Sequence, residues 1–135
     1  GNTAKAAKEL VQMLKDAGAP KVSVADLARE DLAECVEDAF KYSKVVLAAA
    51  SYDGGVFTPM LDFLSHLKTK GYCNRKLAIL ENGSWGPTAA RTIKGMLEGM
   101  KNITVCENVV TIRSAMKESD KESMKKLVDE LLSEN

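Results

Sequence analysis

Apolar residues along the chain fall into two kinds of pattern, short dense runs and stripes at helical spacing. Four runs read as strands: Lys21 to Ala25, Lys44 to Ala50, Lys76 to Leu80, and Ile103 to Ile112 with a break at Glu107-Asn108. The second and third are almost wholly apolar, as expected of strands covered on both faces. Between the runs lie five amphipathic stripes. Ala7, Leu10, Val11, Leu14 and Ala17 form the first, and Gly18 and Pro20 stop it. Leu32, Cys35, Val36, Ala39 and Phe40 form the second, after the acidic start Glu30-Asp31. The third runs from Pro59, a favoured first-turn residue, through Leu64 and Leu67 to Gly71. Ala89, Ala90, Ile93, Leu97 and Met100 make the fourth. The last begins near Ser119-Asp120 and carries Met124, Leu127, Val128, Leu131 and Leu132 on one face. Such stripes are the core-facing sides of helices.

Helix and strand thus alternate from end to end, which predicts an α/β fold with a mostly parallel sheet. The 135 residues fit one domain, spanning 1–135, without repeats or linkers. Charge sharpens this picture chiefly by exclusion. With 19 basic and 19 acidic side chains the net charge is zero, which argues against a protein that neutralises nucleic-acid phosphates. A hydrophobic fraction of 45% argues against a disordered tail. The longest apolar run, Val45 to Ala50, is too short to cross a bilayer. Cys35, Cys73 and Cys106 form no CxxC pair, which fits reduced, inert thiols in a cytoplasmic setting. The lone His66 falls inside a helical stripe and has no companions for a metal site. No Ser-His-Asp, Cys-His or paired-carboxylate arrangement appears, so no catalytic residue is assigned.

In open parallel sheets ligands bind beyond the carboxyl ends of the strands, which directs attention to the strand-to-helix loops. Three of these have unusual composition. Gly1-Asn2-Thr3 heads the first helix, where free N–H groups and a positive dipole end suit a phosphate; a plain N-cap is the simpler alternative. Ser51-Tyr52-Asp53-Gly54-Gly55 follows the most apolar strand. Tyr52 is placed to stack on a flat ligand while Gly54 and Gly55 let the backbone approach it, although Asp-Gly is also an ordinary turn pair. Glu81-Asn82-Gly83-Ser84-Trp85-Gly86-Pro87-Thr88, after the next strand, holds the chain's one tryptophan among glycines. Aromatic residues are only 5% of the chain, so two of them in ligand-side loops are informative. Together the three loops describe a phosphorylated, planar ligand.

These residues resemble a family. Gly1-Asn2-Thr3 running into Ala4-Lys5-Ala6-Ala7 looks like the end of the flavodoxin phosphate loop, T-G-N-T, and its first helix. Ser51 to Pro59 resembles the flavin loop S/T-Y-x-x-G-x-x-x-P of flavodoxin domains in flavodiiron proteins (A-type flavoproteins). Gly83-Ser84-Trp85-Gly86 with Ala89-Ala90 resembles their second flavin loop. The likeness covers essentially the whole chain in order and spacing. Two departures stand out: Ala49-Ala50 replaces a common proline after the strand, and Asn82-Gly83 replaces a Ser and a Tyr, which leaves fewer aromatics around the ring.

The resemblance implies a flavodoxin-like three-layer sandwich that binds FMN and moves electrons one at a time. It implies that Gly1, Asn2 and Thr3 hold the phosphate. Ser51, Tyr52, Asp53, Gly54 and Gly55 would line one side of the flavin, and Asn82, Gly83, Ser84, Trp85 and Gly86 the other side and the pyrimidine edge. The carbonyl of Asp53 or Gly54 would accept a hydrogen bond from N5 of the reduced ring. The implied partner is a redox protein or a tethered diiron domain that reduces oxygen or nitric oxide, with a homodimer as the family expectation. Zero net charge favours the tethered domain over a roaming acidic carrier. The alternatives are a flavodoxin-like NAD(P)H-dependent FMN or quinone reductase, a non-flavin signalling module and an interaction module without flavin. Finally, the family's sheet has five strands, the first preceding the phosphate loop. Only four are readable here, so that strand is expected in a longer polypeptide before Gly1.

Overall fold

The computed structural model describes residues 2–27, 29–52, 55–56, 58–83, 89–113 and 115–133. Among these, helices α1 (Asn2–Asp16) and α2 (Leu32–Lys41) precede strand β1 (Lys44–Tyr52). Then come β2 (Gly55–Val56), α3 (Thr58–Thr69), β3 (Arg75–Asn82), α4 (Ala89–Leu97), β4 (Ile103–Val105), β5 (Val110–Ile112) and α5 (Glu118–Leu132). The sheet order is β2-β1-β3-β4, with β5 also on β3. β1, β4 and β5 all run parallel to β3, and only the two-residue β2 is antiparallel. This is the expected parallel α/β arrangement.

The period of two along β3 builds the layers. Leu77 and Ile79 enter one hydrophobic cluster together with residues of α2, α3 and α4. Ala78 and Leu80 enter another, with residues of α1 and α5. All four are at most 1% exposed, which explains why this strand reads as a continuous apolar run. Helix boundaries follow local chemistry. Gly18, at φ 97°, closes α1, and Asp31 accepts a hydrogen bond from the Ala33 N–H at 3.0 Å to open α2. At the start of α5 the Asp120 carboxylate takes the Lys117 N–H at 2.9 Å.

One expected strand is absent. Residues 21–26 have no regular secondary structure, and Val24 is 61% exposed. A β-branched run becomes a strand only where a neighbour supplies a ladder, and nothing among the described residues pairs with this segment. The run from Ile103 to Ile112 does break at Glu107-Asn108, as its composition suggests. Its two halves take different stretches of β3: Ile103 to Val105 lie beside Arg75 to Leu77, and Val110 to Ile112 beside Leu80 to Asn82.

The interruption is stabilised by Glu130 of α5. Its two carboxylate oxygens accept the Glu107 N–H at 2.8 Å, and the Asn108 N–H and side-chain amide at 2.9 and 2.8 Å. Burial raises the Glu130 carboxyl, but these hydrogen bonds and the Lys76 charge outweigh it and hold the group below its ordinary range. A depressed folded value means stability that is present above the unfolded value of 4.5 and lost as pH falls through the folded one. Glu130→Gln should therefore lower stability by about 1 kcal/mol at pH 7, the low end for a charged acceptor because the site is solvent-screened. Urea midpoints of the two proteins should converge as pH falls from 4.5 through the lower folded value, where the wild-type carboxylate is itself protonated.

Candidate functional site

The carboxyl ends of the parallel strands come together at one level. Ala50 of β1 pairs in register with Asn82 of β3, and Asn82 in turn with Ile112 of β5. The segments following β1 and β3 thus leave neighbouring strands about 5 Å apart. Ser51 and Tyr52 are the last residues of β1 rather than loop residues, and they pair with Val56 and Gly55 of β2. Part of the expected flavin loop is therefore antiparallel sheet, formed by Ser51, Tyr52 and Gly55. The Asp-Gly pair at 53–54 is a hairpin signal in the sequence. Asn82 ends β3, and the buried Gly83 beyond it donates its N–H to the Ile112 carbonyl at 3.0 Å. Asn2 and Thr3 stand in the first turn of α1. Gly1, Asp53, Gly54, Ser84, Trp85 and Gly86 lie outside the described residues.

Glu81, which the sequence reading put at the head of a loop without a role, lies inside β3 and organises this edge. It is the one buried charged side chain among the described residues, at 6% exposure. Oε1 accepts the Ala90 N–H of α4 at 3.0 Å, and Oε2 accepts the Thr111 hydroxyl of β5 at 2.7 Å. One carboxylate therefore ties together β3, β5 and the first turn of α4. With the Gly83–Ile112 hydrogen bond it pins both ends of the segment that carries Trp85. The available signal was a lone acid inside an apolar strand, which must find partners when buried.

The helix starts differ in their anion status. Asp31, Glu81 and Asp120 place carboxylates at the starts of α2, α4 and α5. The first turn of α1 has no acidic residue, and neither does that of α3, which opens Thr58-Pro59. The start of α1 is thus electrostatically open to a phosphate. Elsewhere, grooves of about 310 and 300 Å³ lie between α4 and β4 and around Tyr72 and Gly99, away from the strand ends. Burial pushes the Cys35 and Cys106 thiols up, and nearby carboxylates add to this, so neither is an activated nucleophile. His66 is exposed on α3 with Nδ1 2.8 Å from the Asp62 carbonyl.

No protein-family model and no curated protein matches the chain. Solved structures do. Rubredoxin:oxygen oxidoreductase from Desulfovibrio gigas superposes with a TM-score of 0.84 at 16% identity, over 96% of this chain and 32% of that one. Oxidised flavodoxin 1 from Bacillus cereus gives 0.83 at 18% identity, over 100% of this chain and 92% of that one. The fold is flavodoxin-like. A flavo di-iron protein from Thermotoga maritima gives 0.77 at 16% identity, over 97% and 32%. The chain therefore spans about a third of the length of the rubredoxin:oxygen oxidoreductase and of the flavo di-iron protein, and most of the flavodoxin.

Glu81→Ala should destabilise the protein by about 2–3 kcal/mol, because a buried and a half-buried donor lose their acceptor. Glu81→Gln keeps one acceptor oxygen and should cost about half as much. In urea titrations the pair Glu81→Gln and Thr111→Val should be non-additive by about 1 kcal/mol; strict additivity would mean the two side chains do not interact.

Proposed function

We propose that this chain is an FMN-binding electron-transfer domain. The observation that carries the reading is the register of β1 on β3, which brings Ala50 level with Asn82, so that residues 51–55 and 82–86 start from neighbouring strands. A planar ring between them would meet glycine backbone on both sides and an aromatic residue from either. The acid-free first turn of α1, with Asn2 and Thr3, would take the phosphate. FMN, when bound, supplies one-electron redox chemistry that the side chains here cannot. The protein would bind and orient the ring and exclude water from it. The backbone at Asp53-Gly54 would offer a carbonyl to the flavin N5.

The similarity to parts of two larger proteins, a rubredoxin:oxygen oxidoreductase and a flavo di-iron protein, together with zero net charge, favours a domain that passes electrons within a longer enzyme. By this reading the acceptor is a diiron site that reduces oxygen or nitric oxide. Free cysteines at 35, 73 and 106 fit a cytoplasmic setting. Among the described residues no helix is long and apolar enough to cross a membrane.

Purified protein mixed with FMN should retain yellow flavin absorbance through gel filtration, with Trp85 fluorescence quenched. Trp85→Ala should weaken FMN binding roughly two- to tenfold, the worth of one aromatic contact. Substituting Thr3 by Ala should weaken FMN by about tenfold while leaving riboflavin unchanged, since only FMN carries the phosphate. A colourless protein that excess FMN cannot load defeats the proposal. Steady oxidation of NAD(P)H by the loaded protein alone would instead favour a flavin reductase.

A further inference from the structure

A further connection starts from the same sheet edge, between β5 and α5, and its first residue is Arg113. β1 occupies one backbone edge of β3 from Lys76 to Asn82. β5 pairs with Leu80 to Asn82 and must therefore take the other edge. Ala50, Asn82 and Ile112 stand level across the three strands. The Gly83 N–H donates to the Ile112 carbonyl at 3.0 Å, so Arg113 starts where Gly83 leaves the sheet. Gly83 has no side chain of its own to stand between Arg113 and the segment that follows. An arginine side chain is long enough to cross the interval of about 5 Å between neighbouring strands.

The guanidinium of Arg113 is also uncommitted. Four arginines occur in the chain. Arg29 pairs with Asp26 at 3.7 Å, and Arg75 donates to the carbonyls of Phe40, Tyr42 and Cys73. Arg113 is exposed and, among the described residues, makes no ion pair and no hydrogen bond. The carboxylates on the elements that meet here have other partners. Glu81 accepts from Ala90 and Thr111, and Asp120 from the Lys117 N–H. Glu118 lies 3.7 Å from the Lys121 ammonium. A guanidinium presents its donors as a rigid planar fork, which matches two adjacent acceptors on a flat ligand.

We propose that Arg113 is a further binding residue of the candidate site, its guanidinium donating to ring nitrogen N1 and the C2 carbonyl of a flavin. The assignment rests on the flavin reading above, which gives the pyrimidine edge to residues 82–86. On that edge N1 and the C2 carbonyl are neighbouring acceptors, whereas the next position, N3–H, is a donor that a guanidinium cannot use. The ring's other adjacent pair of acceptors is N5 with the C4 carbonyl. By the same reading that pair belongs to Asp53-Gly54, which follows β1, and β5 stands across β3 from β1. Arg113 is thus matched to the N1 side by both its chemistry and its place in the sheet.

Fluorescence titrations with FMN, riboflavin and 1-deaza-FMN, in which a C–H replaces N1, test the assignment. Arg113→Gln should weaken FMN and riboflavin alike by about tenfold, the worth of a charge-assisted contact at a partly solvated edge. It should weaken 1-deaza-FMN by about threefold or less, because the wild-type protein has already lost one acceptor there. Arg113→Lys keeps the charge without the fork and should recover only part of the affinity. Arg91→Gln, which removes an exposed charge from α4, should change binding less than twofold. Equal FMN affinity of the wild type and Arg113→Gln overturns the assignment and leaves the flavin reading standing. So does a loss seen with FMN but not riboflavin, which would move Arg113 to the phosphate. An equal loss in Arg91→Gln, marking general charge attraction, or with 1-deaza-FMN, marking a structural effect, also overturns it. A wild-type protein that binds none of the three flavins overturns the flavin reading and this assignment together.

Discussion

The parallel pairing of β1 with β3 is the constraint on which everything else here depends. Seven consecutive registers, Lys44 with Lys76 through Ala50 with Asn82, join two strands whose side chains alternate between two separate cores. A strand buried on both faces can carry no polar side chain along its middle without a partner. Polar and aromatic groups are therefore driven to its ends, and the register makes those ends coincide. The ligand-side composition of residues 51–55 and 82–86 is a consequence of that geometry before it is a matter of chemistry.

The two ends are handled differently. At the amino end of β3, Arg75 closes the structure. Its guanidinium lies 5.8 Å from the Phe40 ring and 4.9 Å from the Tyr72 ring, which meet edge to face. It also donates to the Tyr42, Cys73 and Phe40 carbonyls at 2.9, 2.6 and 3.0 Å, capping the end of α2. Five contacts on one side chain leave little freedom there. At the carboxyl end Glu81 plays the corresponding part, but it ties down only the roots of the loops. A rigid base of this kind is what a binding edge requires.

Much of this was legible in the residues, and the failures have a common cause. The apolar runs at 44–50 and 76–80 and the five helical stripes report burial, which each residue type signals by itself. Residues 21–25 carry the same β-branched signal, yet a strand also needs a neighbour, and none of the described segments provides one. Glu81 and Glu130 were given no role because their roles belong to pairings between elements distant in sequence: Glu81 to Thr111, and Glu130 to Asn108. Asp53-Gly54 was readable as a turn pair, but the pairing of Ser51 and Tyr52 with β2 was not, because pairing beyond Ala50 depends on how far β1 runs.

α1 is where the remaining questions about this molecule meet. Its buried residues Ala6, Leu10 and Leu14 are apolar and belong to the α1–α5 cluster. Apolar packing is non-directional, so it secures the helix against the sheet without fixing its start as firmly as Glu81 fixes that of α4. Yet the first turn of α1 carries no acidic residue. An anion bound there would supply the directional partner that Glu81 supplies to α4, and would tie the start of α1 as hydrogen bonding ties that of its counterpart.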